Sequence, residues 1–426
     1  MLELLQFFSR EKPIHARFFI LVLACCISAG VHAQTTLTAE EAVRLALSRP
    51  EVVRIIDAEI GVARSELTAA RTWPNPELSM ERVSVDRPGS NGDETSFMLS
   101  QQFDLSGRRG LQRRAAELGL SAAEMGAEAE RQRIRLEVLR RYYAVVAAAR
   151  RADAYRAWIG ELDELARVAA RRGEAGDLSG YESRRIQQSG ELARSRLEEV
   201  ETTLLAARER LASLIGTDAG NALIDERVDL LPDVSRFNHE VGDGTLVNAE
   251  LAALDGRRVS TAAAAQAASR PSLPVTLGVG QRRLEGPVGS DDALLVQLSV
   301  PLPLFDRNQA ARSRAQAESQ RAESLYRMAL LDMQSRLKTA QAEAARLAAA
   351  AQRLRADVVP QARELTGIAR SSFAEGELDL VGLLAAFDAE IEAVNQSLDL
   401  QHRARTAWIE LEQLTQHDPS TTGDMP

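Results

Sequence analysis

Cysteine and histidine are scarce in this 426-residue chain, and their positions restrict the chemistry that the protein can perform. The two cysteines, Cys25 and Cys26, are adjacent and lie in an amino-terminal apolar run. Of the five histidines, only His239, His402 and His417 lie beyond residue 33. If the run belongs to a cleaved leader, no thiol remains for a disulfide or a thiolate metal site. We therefore expect no metal site and no cofactor.

Sequence motifs of catalysis are also missing. The chain has no HExxH zinc motif, no nucleophile elbow and no P-loop. Its acidic residues alternate with arginine along helical stretches, which is typical of solvated helix faces rather than of general acid/base pairs. The net charge of -9 and the mixing of charges argue against a nucleic-acid-binding surface. These features predict a protein that is not an enzyme and has no nucleic-acid partner.

Residues 1–33 have the pattern of a secretory signal peptide. Basic residues precede the apolar run FFILVLACCISAG, and VHA at its end fits a small-x-small cleavage site, so the mature chain would begin at Gln34. One alternative is a lipoprotein in which Cys25 of VLAC carries the acyl group. Another is an uncleaved anchor, although the run is shorter than the ~20 residues that a membrane-spanning helix needs.

Aromatic residues make up only 4% of the chain, and no proline occurs from Gly89 to Leu231. Apolar residues recur at heptad spacing in that stretch, which predicts long helices packed through small side chains. The boundaries are predicted at about 108–172 and 181–214, then at about 307–373 and 380–414, with an irregularity at Pro360. Each first member would be ~100 Å long, which is unusual for a globular protein.

The two pairs of helices belong to a long internal repeat. Pro74 and Gly176 match Pro274 and Gly376 at an offset of 200 residues, and Phe103 lies near Phe305 at an offset of 202. A period of this length indicates two copies of a domain-sized unit. The copies would cover residues 34–232 and 233–416, followed by a disordered tail, 417–426.

Each copy also contains two strand patterns, at about 76–86 and 95–105 and at about 274–281 and 293–300. Apolar residues alternate with Ser, Gln, Thr or Gly, as in a membrane β-strand with one lipid-facing side. Polar turns close each pair into a hairpin. Two hairpins covering a soluble core remain an alternative. After the amino-terminal run, no apolar run is long enough to span a bilayer as a helix.

The passage from strand to helix is abrupt in both copies. In VPLPLFDRNQA, Pro301 and Pro303 end the strand, because proline donates no hydrogen bond to a neighbouring strand. Asp306 and Gln309 then form a predicted capping box, and Ser106 caps the equivalent helix of the first copy. The aromatic residues at the helix-side ends of the strands suit either a membrane interface or a core, and are Trp73, Phe103 and Phe305.

Four strands cannot close a barrel within one chain, and an open sheet edge in lipid would leave backbone groups unpaired, so several chains must share a barrel. This arrangement resembles the TolC-like outer-membrane factor family of tripartite efflux and secretion systems. The motifs WPNPEL, FDLSGRR and PLPLFDRNQA are similar to those of the branch serving cobalt-zinc-cadmium and copper-silver exporters. The resemblance implies a mainly α protein with a membrane β part, a homotrimer with a twelve-stranded barrel and a periplasmic helical tunnel.

The same resemblance implies a location and partners. The protein would lie in the outer membrane of a Gram-negative bacterium, in contact with outer-membrane lipid, and would meet a periplasmic adaptor and, through it, an inner-membrane RND-type pump. Its cargo would be heavy-metal cations, with drug efflux or type I protein secretion as alternatives. A periplasmic adaptor and a soluble coiled-coil scaffold are competing classes, but neither explains two equivalent hairpins together with four membrane-type strands.

Two sets of site residues follow from the resemblance. The adaptor would dock at the turns of the helical hairpins, at Gly176, Leu178, Ser179, Gly376, Val381, Gly382 and Leu383. The chain departs from the family's gate pattern, because Gly382 and Ala385 occupy positions that commonly carry aspartate. A periplasmic gate would then use the nearest acidic residues, Asp177, Glu377 and Asp379, held in the closed state by Arg184, Arg185 or Arg370. The alternative is that these are exposed turn carboxylates with no such role.

Overall fold

The computed structural model describes residues 36–85, 92–174, 179–216, 224–225, 228–232, 248–286 and 289–415. The predicted leader and tail lie outside these residues. So do three of the predicted turn residues, Gly176, Asp177 and Leu178.

Helices and strands follow one another in two similar series. The first contains α1 (Ala39–Leu47), α2 (Pro50–Arg71), β1 (Glu77–Val85), β2 (Gly92–Asp104), α3 (Arg108–Glu174) and α4 (Gly180–Ile215). The second contains α5 (Ala249–Ser269), β3 (Pro274–Gly286), β4 (Gly289–Ser299), α6 (Gln309–Arg353), α7 (Val359–Glu375) and α8 (Leu380–Thr415). The prediction of a mainly α chain with four strands is confirmed.

The long helix of the first series is continuous, whereas its counterpart in the second series is divided. Helix α3 has 67 residues and is therefore ~100 Å long. In the second series, a π-helical turn at Leu354–Val358 separates α6 from α7. Pro360 lies in the first turn of α7. The irregularity predicted at Pro360 is thus a π turn that immediately precedes the proline.

The helices lie side by side in one layer. Helix α3 packs against α2 and α4 on one side and against α5 and α8 on the other. Helix α6 then packs against α5 and α8, and α7 packs against α8. Within the described residues, α2 and α4 therefore form one side of the layer, and α6 and α7 form the opposite side.

A buried tyrosine fixes the start of the described chain to the middle of this layer. Tyr142 of α3 is fully buried, and its hydroxyl donates a hydrogen bond of 3.0 Å to the carbonyl oxygen of Leu37. Burial raises the pKa of Tyr142 to about 12, and the neighbouring Asp225 adds to the shift. Leu37 also forms a parallel bridge with Ile224, which belongs to the segment joining the two series. We call this region the waist.

The four strands form one antiparallel sheet in the order β1-β2-β3-β4. Strand β2 begins before the predicted residue 95, and β3 continues beyond the predicted residue 281. Polar cross-strand pairs extend the ladder past the apolar alternation. Arg82 contacts Asp93 at 2.7 Å, and Arg283 contacts Asp292 at 3.0 Å. Among the described helices, none combines the length and apolarity needed to cross a membrane.

Candidate functional site

One face of the sheet is apolar and exposed. Cross-strand partners share a face, so the register aligns Leu78, Leu99, Val279 and Val296 in a single row across all four strands. Every one of these side chains is at least half exposed. The adjacent rows are mainly apolar, up to the row that contains Arg82 and Asp292 near the hairpin ends. A contiguous apolar surface of this extent requires lipid or protein to cover it.

The opposite face is mainly polar, although Val83, Met98, Leu284 and Leu295 also lie on it. Its rows include Ser79, Ser96, Ser100 and Gln297, together with two glycines of β3. The charged residues on this face are Glu77, Glu81, Glu94, Asp104, Asp291 and Arg282. Arg282 contacts the carboxylate of Glu94 at 2.6 Å, which leaves an excess of acidic side chains on this face.

At the junction between β2 and α3, the predicted cap residue Ser106 lies one position earlier than the helix cap. The Ser106 hydroxyl accepts a hydrogen bond of 3.2 Å from the Arg108 amide, and Gly107 follows with a φ of 74°. Ser106 therefore stands one residue before the cap. Phe103 packs edge-on against Trp73, with 6.0 Å between the ring centroids.

The capping box predicted at the second junction is wrong. Helix α6 begins at Gln309, and its cap is Asn308, in the left-handed conformation with a φ of 63°. The Asp306 carboxylate accepts a hydrogen bond of 2.9 Å from the Asn308 amide, which forms a local turn. Gln309 accepts from the Arg307 amide at 2.7 Å. The chain therefore turns at Asn308 before it enters the helix.

Strand β4 ends at Ser299, two residues before Pro301. The segment that follows is highly exposed, and Phe305 is 90% accessible. The side chains of Leu302 and Leu304 are exposed as well. This junction therefore presents apolar side chains beside the apolar face of the sheet.

The turn between α7 and α8 lies at the end of the layer opposite the sheet, and we call this end the tip. Gly376 has a φ of 81°, and the Glu377 amide donates 2.8 Å to the carbonyl oxygen of Ser372. Asp379 accepts a hydrogen bond of 2.8 Å from the Gly382 amide and so stabilises the first turn of α8. In the first series, Ser179 and Glu182 form a reciprocal capping box at the start of α4.

Only part of the predicted VGL docking motif is accessible. Val381 is 41% exposed, whereas Leu383 is fully buried in the tip core with Phe387. A side chain at Gly382 would meet the Cδ1 atom of Leu378 at 2.7 Å, within the tip itself. The burial of Leu383 results from tertiary packing of α8 on α7, which no local motif reveals.

Of the predicted gate acids, Glu377 and Asp379 are described, and within the described residues neither forms an ion pair with Arg184, Arg185 or Arg370. Glu377 and Asp379 are both exposed on the turn. Arg370 instead contacts Glu161 of α3 at 3.1 Å, and Arg185 donates to the hydroxyl of Tyr181 at 3.2 Å. Burial raises the pKa of Glu161, although Arg370 opposes that shift.

Sequence reasoning missed Arg172 of α3. Its guanidinium donates to the carbonyl oxygens of Phe373 and Ala374, at 3.1 and 2.8 Å, and lies 5.0 Å from the Phe373 ring. These carbonyls belong to the last turn of α7, where the Phe373 carbonyl also accepts a hydrogen bond of 3.2 Å from the Gly376 amide. Arg172 therefore ties the two hairpin tips together. A separation of about 200 residues hides this contact from any local pattern.

Sequence reasoning also missed a group of arginines at the waist. Three arginines donate hydrogen bonds to the segment 228–232. They are Arg150 of α3, Arg355 of the π turn and Arg405 of α8. Arg355 binds both carboxylate oxygens of Asp229 at 2.8 Å. Burial favours a higher pKa for Asp229, but the hydrogen bonds from Arg355 and from the Leu231 amide keep it below its usual value. The π turn is thereby fixed to the segment that leads into the second series.

Comparison with known proteins agrees with this architecture. The family described as Outer membrane efflux protein matches residues 42–217 and 248–416. The chain is 26% identical over 357 residues to the Cobalt-zinc-cadmium resistance protein CzcC of Cupriavidus metallidurans, a match that covers 82% of this chain and 83% of CzcC.

Solved structures give the same fold. The outer membrane protein VceC of Vibrio cholerae superposes with a TM-score of 0.73 at 18% identity, covering 88% of this chain and 95% of VceC. The CmeC outer membrane channel of Campylobacter jejuni gives a TM-score of 0.72 at 16% identity, covering 90% of this chain and 88% of CmeC. The relatives are channel proteins rather than enzymes. The family match over most of its length shows that the chain belongs to the outer membrane efflux protein family and is an outer-membrane efflux channel.

Proposed function

We propose that three copies of the chain close into a passive exit duct that has no catalytic activity of its own. The observation that supports this most directly is the sheet, whose apolar face is exposed while β1 and β4 are both edge strands. Ring closure would pair β4 of one copy with β1 of the next and would leave no strand edge in lipid. Twelve strands would then form the barrel.

The helical layer supports the same closure. Its two sides carry exposed apolar residues at helical spacing: Ile55 and Val62 on α2, and Met328 and Leu331 on α6. Association of α6 of one copy with α2 of the next would bury both pairs. The polar face of the sheet would line the channel, and the long helices would form a tunnel through the periplasm.

We infer that the cargo is heavy-metal cations. This rests on the similarity to CzcC and on the excess of acidic residues on the polar face of the sheet, which would attract cations to the channel wall. Within the described residues, no three or more His, Cys, Asp or Glu side chains are grouped to hold a metal ion. We therefore assign selection of the cargo to the inner-membrane RND-type pump. The alternative functions for the channel are drug efflux and type I protein secretion.

Deletion of the gene tests the cargo. We expect the deletion strain to lose tolerance to cobalt, zinc, cadmium, copper or silver salts, and to keep its tolerance to hydrophobic drugs. Growth would be measured across a concentration series of each compound, with the plasmid-borne gene as the complementation control. Loss of drug tolerance with unchanged metal tolerance would contradict the metal cargo and indicate that the channel exports drugs.

The tip is the proposed docking surface for the periplasmic adaptor. Val381 and Tyr181 are exposed apolar side chains that α8 and α4 present beside their first turns. Each of these residues belongs to a turn with a defined cap: Ser179 caps the start of α4, and Gly376 caps the end of α7. We assign the acids Glu377 and Asp379, with Asp177 of the first turn, to a ring around the axis at this end.

Val381→Asp tests the docking surface. We expect intact assemblies in which crosslinking to the periplasmic adaptor falls at least about tenfold, equivalent to about 1.4 kcal/mol, because a charge would be desolvated at the contact. Gly382 is unsuitable for this test, since a side chain there would strike Leu378 and disturb the tip itself.

Val358→Asp provides the matched control. Val358 is 43% exposed, nearly the same as Val381, but it lies in the π turn, away from the tip. We expect this control to crosslink normally. Equal crosslinking by Val381→Asp and wild type would exclude Val381 from the docking surface, and equal loss in both variants would point to a folding defect.

A further inference from the structure

A basic face lies beside the apolar face of the sheet, where α2 ends and α3 begins. The Arg109 guanidinium carbon is 4.1 Å from the centroid of the Trp73 ring, and its Nη2 donates 3.0 Å to the carbonyl oxygen of Thr72. Trp73 in turn packs against Phe103. Phe103 shares a sheet face with Leu99, two rows away, so Arg109 is placed on the lipid-facing side of the protein.

Two further arginines continue this face. Arg113 and Glu117 follow Arg109 at intervals of four residues and so lie on the same side of α3. Arg71 of α2 contacts the Glu117 Oε1 atom at 3.2 Å, and Arg113 lies 3.9 Å from the same atom. Two guanidinium groups, those of Arg71 and Arg113, thus share one carboxylate. The side chains of Arg71 and Arg113 are 58% and 60% exposed, which leaves N–H donors free for a ligand.

The second series shows that the fold does not require this group. At the offset of 200 residues, Leu273 stands in the place of Trp73. At the offset of 202, Ala311 and Ala315 stand in the places of Arg109 and Arg113. The second series makes the same passage from strand to helix without the tryptophan or the two arginines. The combination of a tryptophan with these arginines is therefore a feature of the first series; in the second series Arg312 and Arg314 stand at neighbouring positions, and Leu273 replaces the tryptophan.

We propose that Arg71, Trp73, Arg109 and Arg113 bind the phosphate of an anionic phospholipid in the leaflet next to the helical end of the sheet. The inference rests on the proposed placement of the sheet in the membrane. Arginine pairs with phosphate oxygens through two parallel hydrogen bonds, and a tryptophan at the interface positions the headgroup. The neighbouring Leu105 is 67% exposed and continues the apolar surface, so acyl chains and headgroup would be bound side by side.

The test measures lipid retention on the purified assembly. Detergent-solubilised protein would be mixed with phosphatidylglycerol or phosphatidylcholine, and bound lipid would be counted by native mass spectrometry. We expect preferential retention of phosphatidylglycerol by wild type. In the double variant Arg109→Gln, Arg113→Gln, that retention should fall on the order of tenfold, because two basic groups at an anionic surface are lost. Arg109→Lys with Arg113→Lys should lie in between, since charge is kept but bidentate pairing is lost.

The second series supplies the matched control, Arg312→Gln with Arg314→Gln in the first turns of α6. We expect wild-type retention in this control. Equal loss in both double variants, or equal retention of both lipids by wild type, would overturn the inference. Competition by millimolar inorganic phosphate as effective as that by lipid would also overturn it, because the site would then take a free anion.

The outcome can be separated from the proposed function. Single-channel conductance and heat-resistant migration of the same preparations report whether a channel has assembled. A conducting assembly without lipid preference would refute the lipid site alone. An absence of conducting assemblies in the wild-type preparation would instead refute the proposed channel.

Discussion

Gly280→Val is expected to abolish assembly of the channel in the outer membrane. A Cβ atom built at Gly280 falls onto the carbonyl oxygen of Phe97 and lies 3.0 Å from the Cα atom of Met98. Both are backbone atoms of the neighbouring strand β2, so no side chain can move aside to relieve the contact. Overpacking of this kind costs about 1–3 kcal/mol or more, and here it would separate the two central strands.

The measurement is the yield of heat-resistant assemblies from outer-membrane fractions. Gly286→Val is the control on the same strand, because a Cβ atom there meets only the Gly289 carbonyl oxygen at 3.8 Å. We expect the control to assemble normally and Gly280→Ala to give a reduced yield. A normal yield from Gly280→Val would show that β2 and β3 do not pair as described.

The expectation that Gly280 is special could not come from the sequence. Alternation in VTLGVGQ predicts a strand, and it gives Gly278 and Gly280 equivalent positions on one face. The structure separates them. Gly278 faces the flexible Met98 side chain, with its Sδ atom 2.9 Å from a built Cβ, while Gly280 faces backbone. Periodicity specifies the face of a residue, whereas the close approach of two strands depends on sheet twist.

The junctions show a similar division between local and tertiary information. The sequence correctly indicates that the chain leaves a strand and enters a helix near Asp306. It does not indicate that Asn308 adopts a left-handed conformation, because the Asn308 side chain is held from outside by a hydrogen bond of 3.0 Å to the carbonyl oxygen of Ala268. A capping-box pattern is a local signal, and this long-range contact overrides it.

The tip and the waist depend even more on long-range contacts. Heptad spacing predicts the helices that carry Arg172 and Arg405, but both guanidinium groups act on backbone carbonyls far along the chain. Any exposed arginine on a helix has the same local pattern. The roles of these two residues are set by which helices become neighbours, and that order follows from the fold of the two series.

Neutralising the three proposed gate acids is expected to reduce the cation preference of the channel strongly, with little change in assembly. Glu377 and Asp379 are exposed on the turn of the second series, and Asp177 belongs to the turn of the first. In a threefold ring these carboxylates would lie close to the axis, where they would attract cations and repel anions.

The variant is the triple change Asp177→Asn, Glu377→Gln, Asp379→Asn. Asparagine keeps an acceptor for the Gly382 amide, so the start of α8 should be preserved. The contact between Arg370 and Glu161 is also untouched, and it would continue to hold α7 against α3. A change in selectivity would therefore report charge at the axis rather than unfolding of the tip.

Reversal potentials across a planar bilayer with a salt gradient provide the measurement. We expect the wild-type channel to prefer cations and the triple variant to approach equal permeability for cations and anions, because the fixed charge at the narrowest point is gone. The control removes three exposed glutamates of α4 instead, through Glu198→Gln, Glu199→Gln and Glu209→Gln, and should keep the wild-type preference. Wild-type selectivity and resting conductance in the triple variant would exclude these three residues from the gate.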